Sequence, residues 1–359
     1  MAAKTIGILT SGGDCGGLNA VIRAVVHRAR HYGWRVLGIR DGTMGLLDRP
    51  LRYNELDLSA VDATMMRLGG TVLGTTNKGN PFAFPLLDGS VKNRSAEIIA
   101  GVLELGLDAV IGIGGDGSFA ILRRLAEQGR FPLVGVPKTI DNDIGLTESS
   151  IGFDTAVSVA TEALDRLQPT AASHARVMLL EVMGRDAGHI ALHAGIAGGA
   201  DVILIPEIPY SLEKIAHKIA EIRAQGRNSA LIVVSEAVRT IEGRMLKVRH
   251  RGGTRRFGGI GQYLADLVAE ATGAETRVTV LGHVQRGCPP SAQDRLIGTA
   301  FGVHAVDLIQ QGKFDRMVAW QNRRVVDVSL ADAIARYQAV DINSGLVETA
   351  RALGVCLGD

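Results

Sequence analysis

Short apolar runs, each closed by glycine or proline, alternate along the chain with longer stretches whose apolar residues recur every three or four positions. Residues 5–9 open the series, and Ser11-Gly12-Gly13-Asp14 leads from them into a helical pattern over about 18–32. Runs at 36–39, 109–113 and 133–136 read as further strands, with helices predicted over about 95–105 and 119–127. These runs lack polar alternation, as strands buried on both faces do. The stretch from 40 to 94 is glycine-rich and weakly patterned. After Gly152-Phe153-Asp154 a second series begins, with helices over 156–167 (ending near Pro169), 187–196, 212–225, 260–270 and 292–310. Its strands are expected at 177–182, 202–205, 230–235 and 277–281, and the Arg- and Gly-rich segment 249–259 reads as a mobile loop. Strands separated by helices argue for parallel sheets. The fold class expected is α/β: two doubly wound, Rossmann-like domains with largely parallel sheets and an active-site cleft between them.

Composition narrows the picture. Of 359 residues, 46% are hydrophobic but only 4% aromatic, so the core must be built from Val, Ile, Leu and Ala. The 45 glycines gather at the ends of apolar runs, which points to tight ligand loops. Net charge is +2, from 39 basic and 37 acidic residues, and gives no reason to expect nucleic acid or a membrane surface as partner. Cys15, Cys288 and Cys356 lie far apart with no CxxC, which argues for a reducing compartment. No leader precedes the first strand, and the most apolar segment, 190–205, is interrupted by His193 and Asp201. The expectation is a soluble cytoplasmic protein.

Candidate chemistry sits where the apolar runs end, the edge at which open α/β sheets bind ligands. Pro137 stops the strand before it, and Lys138-Thr139-Ile140-Asp141-Asn142-Asp143 follows. Two carboxylates this close repel unless a cation or proton sits between them. The same residues also suit an ordinary solvated turn. Ser11-Gly12-Gly13-Asp14 offers a backbone that a phosphate can approach. Gly112-Ile113-Gly114-Gly115-Asp116-Gly117 formally matches GxGxxG, so a dinucleotide site competes. Against it, Asp116 would repel a pyrophosphate unless a metal intervened, and no ribose-binding acid closes the next strand. A carboxylate in such a loop suits a Mg²⁺ ion shared with phosphate oxygens. No Walker A sequence occurs. His189 and His193 share a helix face at i, i+4 spacing but lack a third ligand, so they are read as helix surface or packing. Arg176, Arg185, Arg277, Arg286 and His283 flank apolar strands, and arginines that converge read a phosphoryl group. Together these residues indicate phosphoryl transfer without a covalent enzyme intermediate, with an aspartate taking the acceptor's hydroxyl proton.

Over nearly its whole length the chain resembles the 6-phosphofructokinase family. The resemblance rests on Ser11-Gly12-Gly13-Asp14 with Leu18-Asn19-Ala20, on Gly114-Gly115-Asp116-Gly117-Ser118, and on Thr139-Ile140-Asp141-Asn142-Asp143 with Gly152-Phe153-Asp154-Thr155-Ala156. Glu181-Val182-Met183-Gly184-Arg185 and Leu281-Gly282-His283-Val284-Gln285-Arg286-Gly287 complete it. It implies Mg²⁺-dependent transfer from ATP to the 1-hydroxyl of fructose 6-phosphate. Asp141 would be the base, Thr139 and Arg185 would steady the phosphoryl group, and Asp143 would support Asp141 and the metal on Asp116. Gly13, Gly115, Gly117 and Ser118 would line the donor site. Met183, Gly184 and Glu236 would contact the sugar, and Arg176, Arg277, His283 and Arg286 its 6-phosphate. In the family Arg176 and Arg277 reach in from a neighbouring subunit, which implies a homo-oligomer, dimer or tetramer. Residues 1–152 with about 285–335 would form the phosphate-donor domain, and 153–284 with about 336–359 the sugar-phosphate domain.

Departures from the family pattern bear on the donor. Pyrophosphate-dependent members carry Asp at the Gly117 position, which crowds out the nucleotide's α-phosphate, so Gly117 favours ATP. Lys138 is the residue that pyrophosphate enzymes carry, so the chain resembles a mixed branch with one mark of each kind. ATP is the expected donor and pyrophosphate the alternative. Asn77-Lys78 stands where ATP enzymes place an arginine, with Lys78 supplying the charge. Of the family's basic effector set Arg23 remains, but His27 and Gln168 stand where arginines would be, and Gln225-Gly226-Arg227 replaces a lysine-rich stretch. Weak or absent allosteric control is expected. A lipid or NAD kinase would lack the 139–143 segment, a non-catalytic relative would have lost Asp116 or Asp141, and a dehydrogenase would respond to NAD.

Overall fold

The computed structural model describes residues 3–77, 79–86, 88–249 and 255–359. They form two compact units. One takes the chain up to Ile140, then Ile144–Thr155 and Arg286–Tyr337; the other takes Asp141–Asp143, Ala156–Gln285 and Gln338–Asp359. Asp141–Asp143 thus groups with the second unit, although it lies inside the stretch 1–152 expected for the first.

The first unit is built on a seven-stranded sheet in the order Arg324–Ser329, Arg316–Gln321, Leu133–Pro137, Ala109–Gly114, Thr5–Thr10, Arg35–Ile39, Tyr53–Leu56. The inner strands are parallel, with Ile8 beside Ile111 and Ile111 beside Val134, and only the two edge strands run antiparallel. The middle strands are buried along their length, which is why they read as unbroken apolar runs. Leu9, Ile39, Val110, Phe119, Leu122, Leu133 and Met317 belong to one hydrophobic core. Helices Leu18–His31 and Ala292–Gln310 pack together. At Gly302 an added Cβ would lie 2.6 Å from the carbonyl oxygen of Val21, so the two backbones approach as only glycine permits.

The second unit has a four-stranded, wholly parallel sheet in the order Thr276–Val280, Val177–Val182, Ala230–Ser235, Val202–Leu204. Helices Leu212–Ala224 and Ile260–Thr272 contribute Ile215, Ile219, Leu264 and Val268 to its core. Glu181, buried in the Val177–Val182 strand, accepts the Gly261 N–H at 2.8 Å and so serves the open end of the second of these helices.

Several expectations are corrected. The helix predicted to stop near Pro169 runs on, from Phe153 to His174. Asp165 and Pro169 are both exposed, so water can take the carbonyl that the missing proline N–H leaves unpaired. The weakly patterned 40–94 region contains a short helix, Met44–Leu47, and the edge strand Tyr53–Leu56. Beyond residue 310, strands Arg316–Gln321 and Arg324–Ser329 and helices Leu330–Ala335 and Gly345–Ala352 had not been anticipated. Lys247–Arg249 and Arg255–Phe257 pair as a small antiparallel ladder, and the rest of the expected mobile loop, 250–254, lies outside the described residues. No described helix is long and apolar enough to cross a membrane.

Candidate active site

In the first unit three loops converge at the C-terminal ends of parallel strands. The Ser11 N–H donates to the Ile113 carbonyl, and the Gly12 N–H to that of Thr76, both at 2.9 Å. Lys138 is buried and donates from Nζ to the Gly13 carbonyl at 2.5 Å. Its Nζ and the Ser118 Oγ each lie 3.2 Å from where a Cβ on Gly12 would stand. The lysine at the end of the Leu133–Pro137 strand is thereby tied to the first glycine loop. Arg286 donates to the Asp14 carbonyl at 3.1 Å, and its Nη1 would be 2.8 Å from a Cβ on Gly13. Beneath this loop lies Cys15, whose thiol burial pushes up to about 12 although the charge of Lys138 acts in the opposite sense.

Gly115 caps the helix Asp116–Gly129, placing Asp116 in its first turn. A carboxylate is stabilised there by the helix dipole, and its oxygens stay available because Asp116 is exposed. Gly117 is exposed too, and an added Cβ would meet nothing within 4 Å. Asn77 is exposed, one residue past the Thr76 carbonyl that receives Gly12; Lys78 lies outside the described residues.

In the second unit Asp141, Asn142 and Asp143 are all buried, contrary to a solvated turn. Asn142 takes a left-handed conformation at φ 53°, which asparagine tolerates better than most residues. Arg185 faces Asp141, with Nε 3.6 Å from Oδ2. Its own φ is 48°, a conformation that costs of order 1 kcal/mol in a non-glycine residue and concentrates at functional sites. Gly184 before it sits at φ 151°, and a Cβ there would fall 2.6 Å from the Ala187 carbonyl oxygen. The Arg185 N–H donates to Glu236 Oε1 at 3.2 Å. Burial pushes the Glu236 carboxyl up to about 7; the N–H groups of Arg185 and Gly184 oppose the shift, and the charge of Asp141 adds to it. Met183 is half-buried and Gly184 buried in the same turn.

The basic residues divide. Arg176 pairs with Glu275 at 2.9 Å, and Arg277 pairs with the same carboxylate. The hydrogen bond from Arg176 is the main cause holding Glu275 below the usual carboxylate range. His283 is exposed, and Arg286 belongs to the first unit at the Gly13–Asp14 loop. His189 is buried and its Nε2 donates to the Gln338 carbonyl at 3.0 Å; His193 donates from Nδ1 to the His189 carbonyl at 2.8 Å.

A family model described as phosphofructokinase matches residues 5–309. The chain belongs to the phosphofructokinase family. Two curated relatives extend the match to full length. One, an ATP-dependent 6-phosphofructokinase 1 of Synechocystis, is 62% identical over 357 residues, 99% of each chain. The other, an ATP-dependent 6-phosphofructokinase 1 of Nostoc, is 64% identical with the same coverage. Among solved structures, the Pichia pastoris phosphofructokinase matches 93% of this chain with a TM-score of 0.80 and 30% identity. This chain spans 36% of that longer one. A pyrophosphate-dependent phosphofructokinase of Nitrosospira multiformis matches the whole chain with a TM-score of 0.81 at 22% identity, a likeness of fold.

Two residues of this phosphofructokinase escaped sequence reasoning. Glu275 is found only through strand pairing, because Val177 lies beside Thr276 and so brings Arg176 next to it. Asp294 carried a legible signal. Ser291 and Asp294 have the spacing of a capping box, and the Asp294 N–H does donate to Ser291 Oγ, at 3.2 Å.

Proposed function

We propose that this chain transfers the terminal phosphoryl group of ATP to the 1-hydroxyl of fructose 6-phosphate, giving fructose 1,6-bisphosphate. Full-length identity of 62% and 64% to two curated ATP-dependent enzymes carries the reading. The first unit would bind the donor, through Gly13, Asn77, Lys78, Gly115, Asp116, Gly117 and Ser118. The second would bind the sugar phosphate.

Asp141 takes the proton of the attacking hydroxyl. A carboxylate suffices as base when the proton leaves only as the P–O bond forms. Arg185, 3.6 Å from Asp141, and Thr139 steady the transferring group, and Asp143 supports Asp141. Met183, Gly184 and Glu236 hold the sugar. Arg176, Arg277 and His283 bind the 6-phosphate, the first two across a subunit boundary, so that the active form is a homo-oligomer, dimer or tetramer. Arg286, which the family resemblance assigns to the same phosphate, lies in the first unit on the Asp14 carbonyl. In the free chain Glu275 occupies both Arg176 and Arg277, and a phosphate would compete with it.

Mg²⁺ fits Asp116. Among the described residues no three His, Cys, Asp or Glu side chains gather as a metal cage. An exposed carboxylate beside a phosphate loop matches an ion that takes one or two protein ligands and fills the rest with substrate oxygens and water. When bound, the ion supplies charge neutralisation on the donor phosphates.

Open space at Gly117 supports ATP, since nothing of the protein fills the position where an aspartate would exclude the nucleotide. Lys138, the residue that favours pyrophosphate, is engaged with the Gly13 carbonyl. The test is one assay with fructose 6-phosphate in which ATP, ADP and pyrophosphate are compared side by side. Turnover with ATP is expected; turnover with pyrophosphate and none with ATP overturns the donor assignment.

A further inference from the structure

Asp294 is fully buried at the start of the helix Ala292–Gln310. Both its oxygens are used on one loop. Oδ1 accepts the Gly152 N–H at 2.9 Å, and Oδ2 accepts the Thr155 N–H at 2.8 Å and the Thr155 hydroxyl at 2.5 Å. Thr155 Oγ1 in turn accepts the Ser291 N–H at 3.0 Å. The loop gripped in this way is hydrogen-bonded to the candidate catalytic strand end. The Ile151 N–H donates to the Pro137 carbonyl at 3.2 Å, Ile151 bridges to Lys138, and the Ser150 hydroxyl donates to the Thr139 carbonyl at 2.8 Å. One continuous set of bonds therefore runs from a packed helix, through Asp294, to the backbone of Thr139.

We infer that Asp294 is a positioning residue for phosphoryl transfer: through Gly152, Thr155 and Ser150 it holds the 137–140 backbone that presents Thr139 and, next in the chain, Asp141. A simple helix cap does not need this arrangement. Ser291 already caps Ala292–Gln310, while the carboxylate of Asp294 is turned onto a different segment. Burying a carboxylate is costly unless its lone pairs are filled, and here the three donors that fill them all belong to residues 152 and 155. A group of this kind tolerates little displacement of the loop it holds.

The role rests on the reading of Thr139 and Asp141 as catalytic, so the test includes Asp141→Ser. Asp294→Asn keeps the shape but turns an amide NH₂ toward N–H donors. Displacements near 1 Å at a reacting centre cost about 100-fold in rate. Asp294→Asn is therefore expected to lower kcat by about 10- to 100-fold at a temperature where circular dichroism shows the variant folded, with KM for fructose 6-phosphate changed by less than about threefold. Ser150→Ala should act in the same direction more weakly, and the double variant should lose less than the product of the two, since both act on one loop. A lowered melting temperature with wild-type kcat overturns the inference and leaves a structural cap. If Asp294→Asn fails to fold, Thr155→Val and Ser150→Ala decide: wild-type kcat in both overturns it. Asp141→Ser that keeps turnover overturns the catalytic reading, and the positioning role with it. Asp141→Ser inactive beside fully active Asp294→Asn overturns the positioning role alone.

Discussion

Replacing Glu236 by glutamine should stabilise the protein at alkaline pH and do little in acid. Glu236 follows the Ala230–Ser235 strand, its N–H bonded to the Val182 carbonyl at 2.9 Å and its Oε1 accepting the Arg185 N–H. Burial first, and then the charge of Asp141, raise its carboxyl from 4.5 to about 7. The folded state thus holds this proton more tightly than the unfolded chain. Where that is so, unfolding free energy falls as pH rises, here from about 4.5 until the loss is complete above about 7. At about 1.4 kcal/mol per pKa unit the full loss is about 3 kcal/mol. Glutamine keeps an acceptor for the Arg185 N–H and never carries the charge. The variant should therefore match wild type near pH 4 and exceed it increasingly toward pH 8. A chain of two units is not required to unfold in one step, so the quantity to follow is the difference in melting temperature between variant and wild type. At roughly 2–4 °C per kcal/mol for large domains, the variant should gain several degrees across that range. In an Asp141→Asn background the gain should shrink, because one of the causes that raise the carboxyl is gone. A difference that stays constant from pH 5 to 8 would refute the argument.

Asp141→Ser should reduce kcat by orders of magnitude while fructose 6-phosphate binding, read by isothermal calorimetry, stays nearly intact; lost binding with unchanged turnover would contradict its role as base. Gly117→Asp meets no Cβ obstruction, so its melting temperature should stay within about 1 °C of wild type while KM for ATP rises at least tenfold. Cys15, its thiol pushed up to about 12, should resist iodoacetamide at pH 8 in the folded protein and react after denaturation, as peptide mass spectrometry would show. Velocity against fructose 6-phosphate should be hyperbolic with no activation by ADP, if His27 and Gln168 stand, as the family resemblance implies, where effector-binding arginines would be.

Unbroken apolar runs such as Val110-Ile111 and Val177-Met178-Leu179-Leu180 made the buried parallel strands legible, because strands covered on both faces need no polar alternation. The exposed stretch around Pro169 misled, since a rule about lost hydrogen bonds fails where water supplies the partner. The edge strand Arg324–Ser329, antiparallel to its neighbour Arg316–Gln321, was missed because its residues are exposed or half-exposed throughout and give no continuous apolar signal.

The same division holds at the candidate site. Residue type and local spacing sufficed to single out Asp116 in a glycine loop, Asp141 and Asp143 after a strand, and arginines at strand ends. These are local signals, carried by neighbours in sequence. The pairing of Arg185 with Asp141, the rise of Glu236 toward neutrality, the hold of Glu275 on two arginines and the grip of Asp294 on the 150–155 loop came only with the fold. Each depends on which distant segment lies within a few ångströms and how much water it excludes. Lys138 shows both sides: its identity was plain in the sequence, but its contact with the Gly13 carbonyl, 125 residues away, was decided by strand order in the sheet.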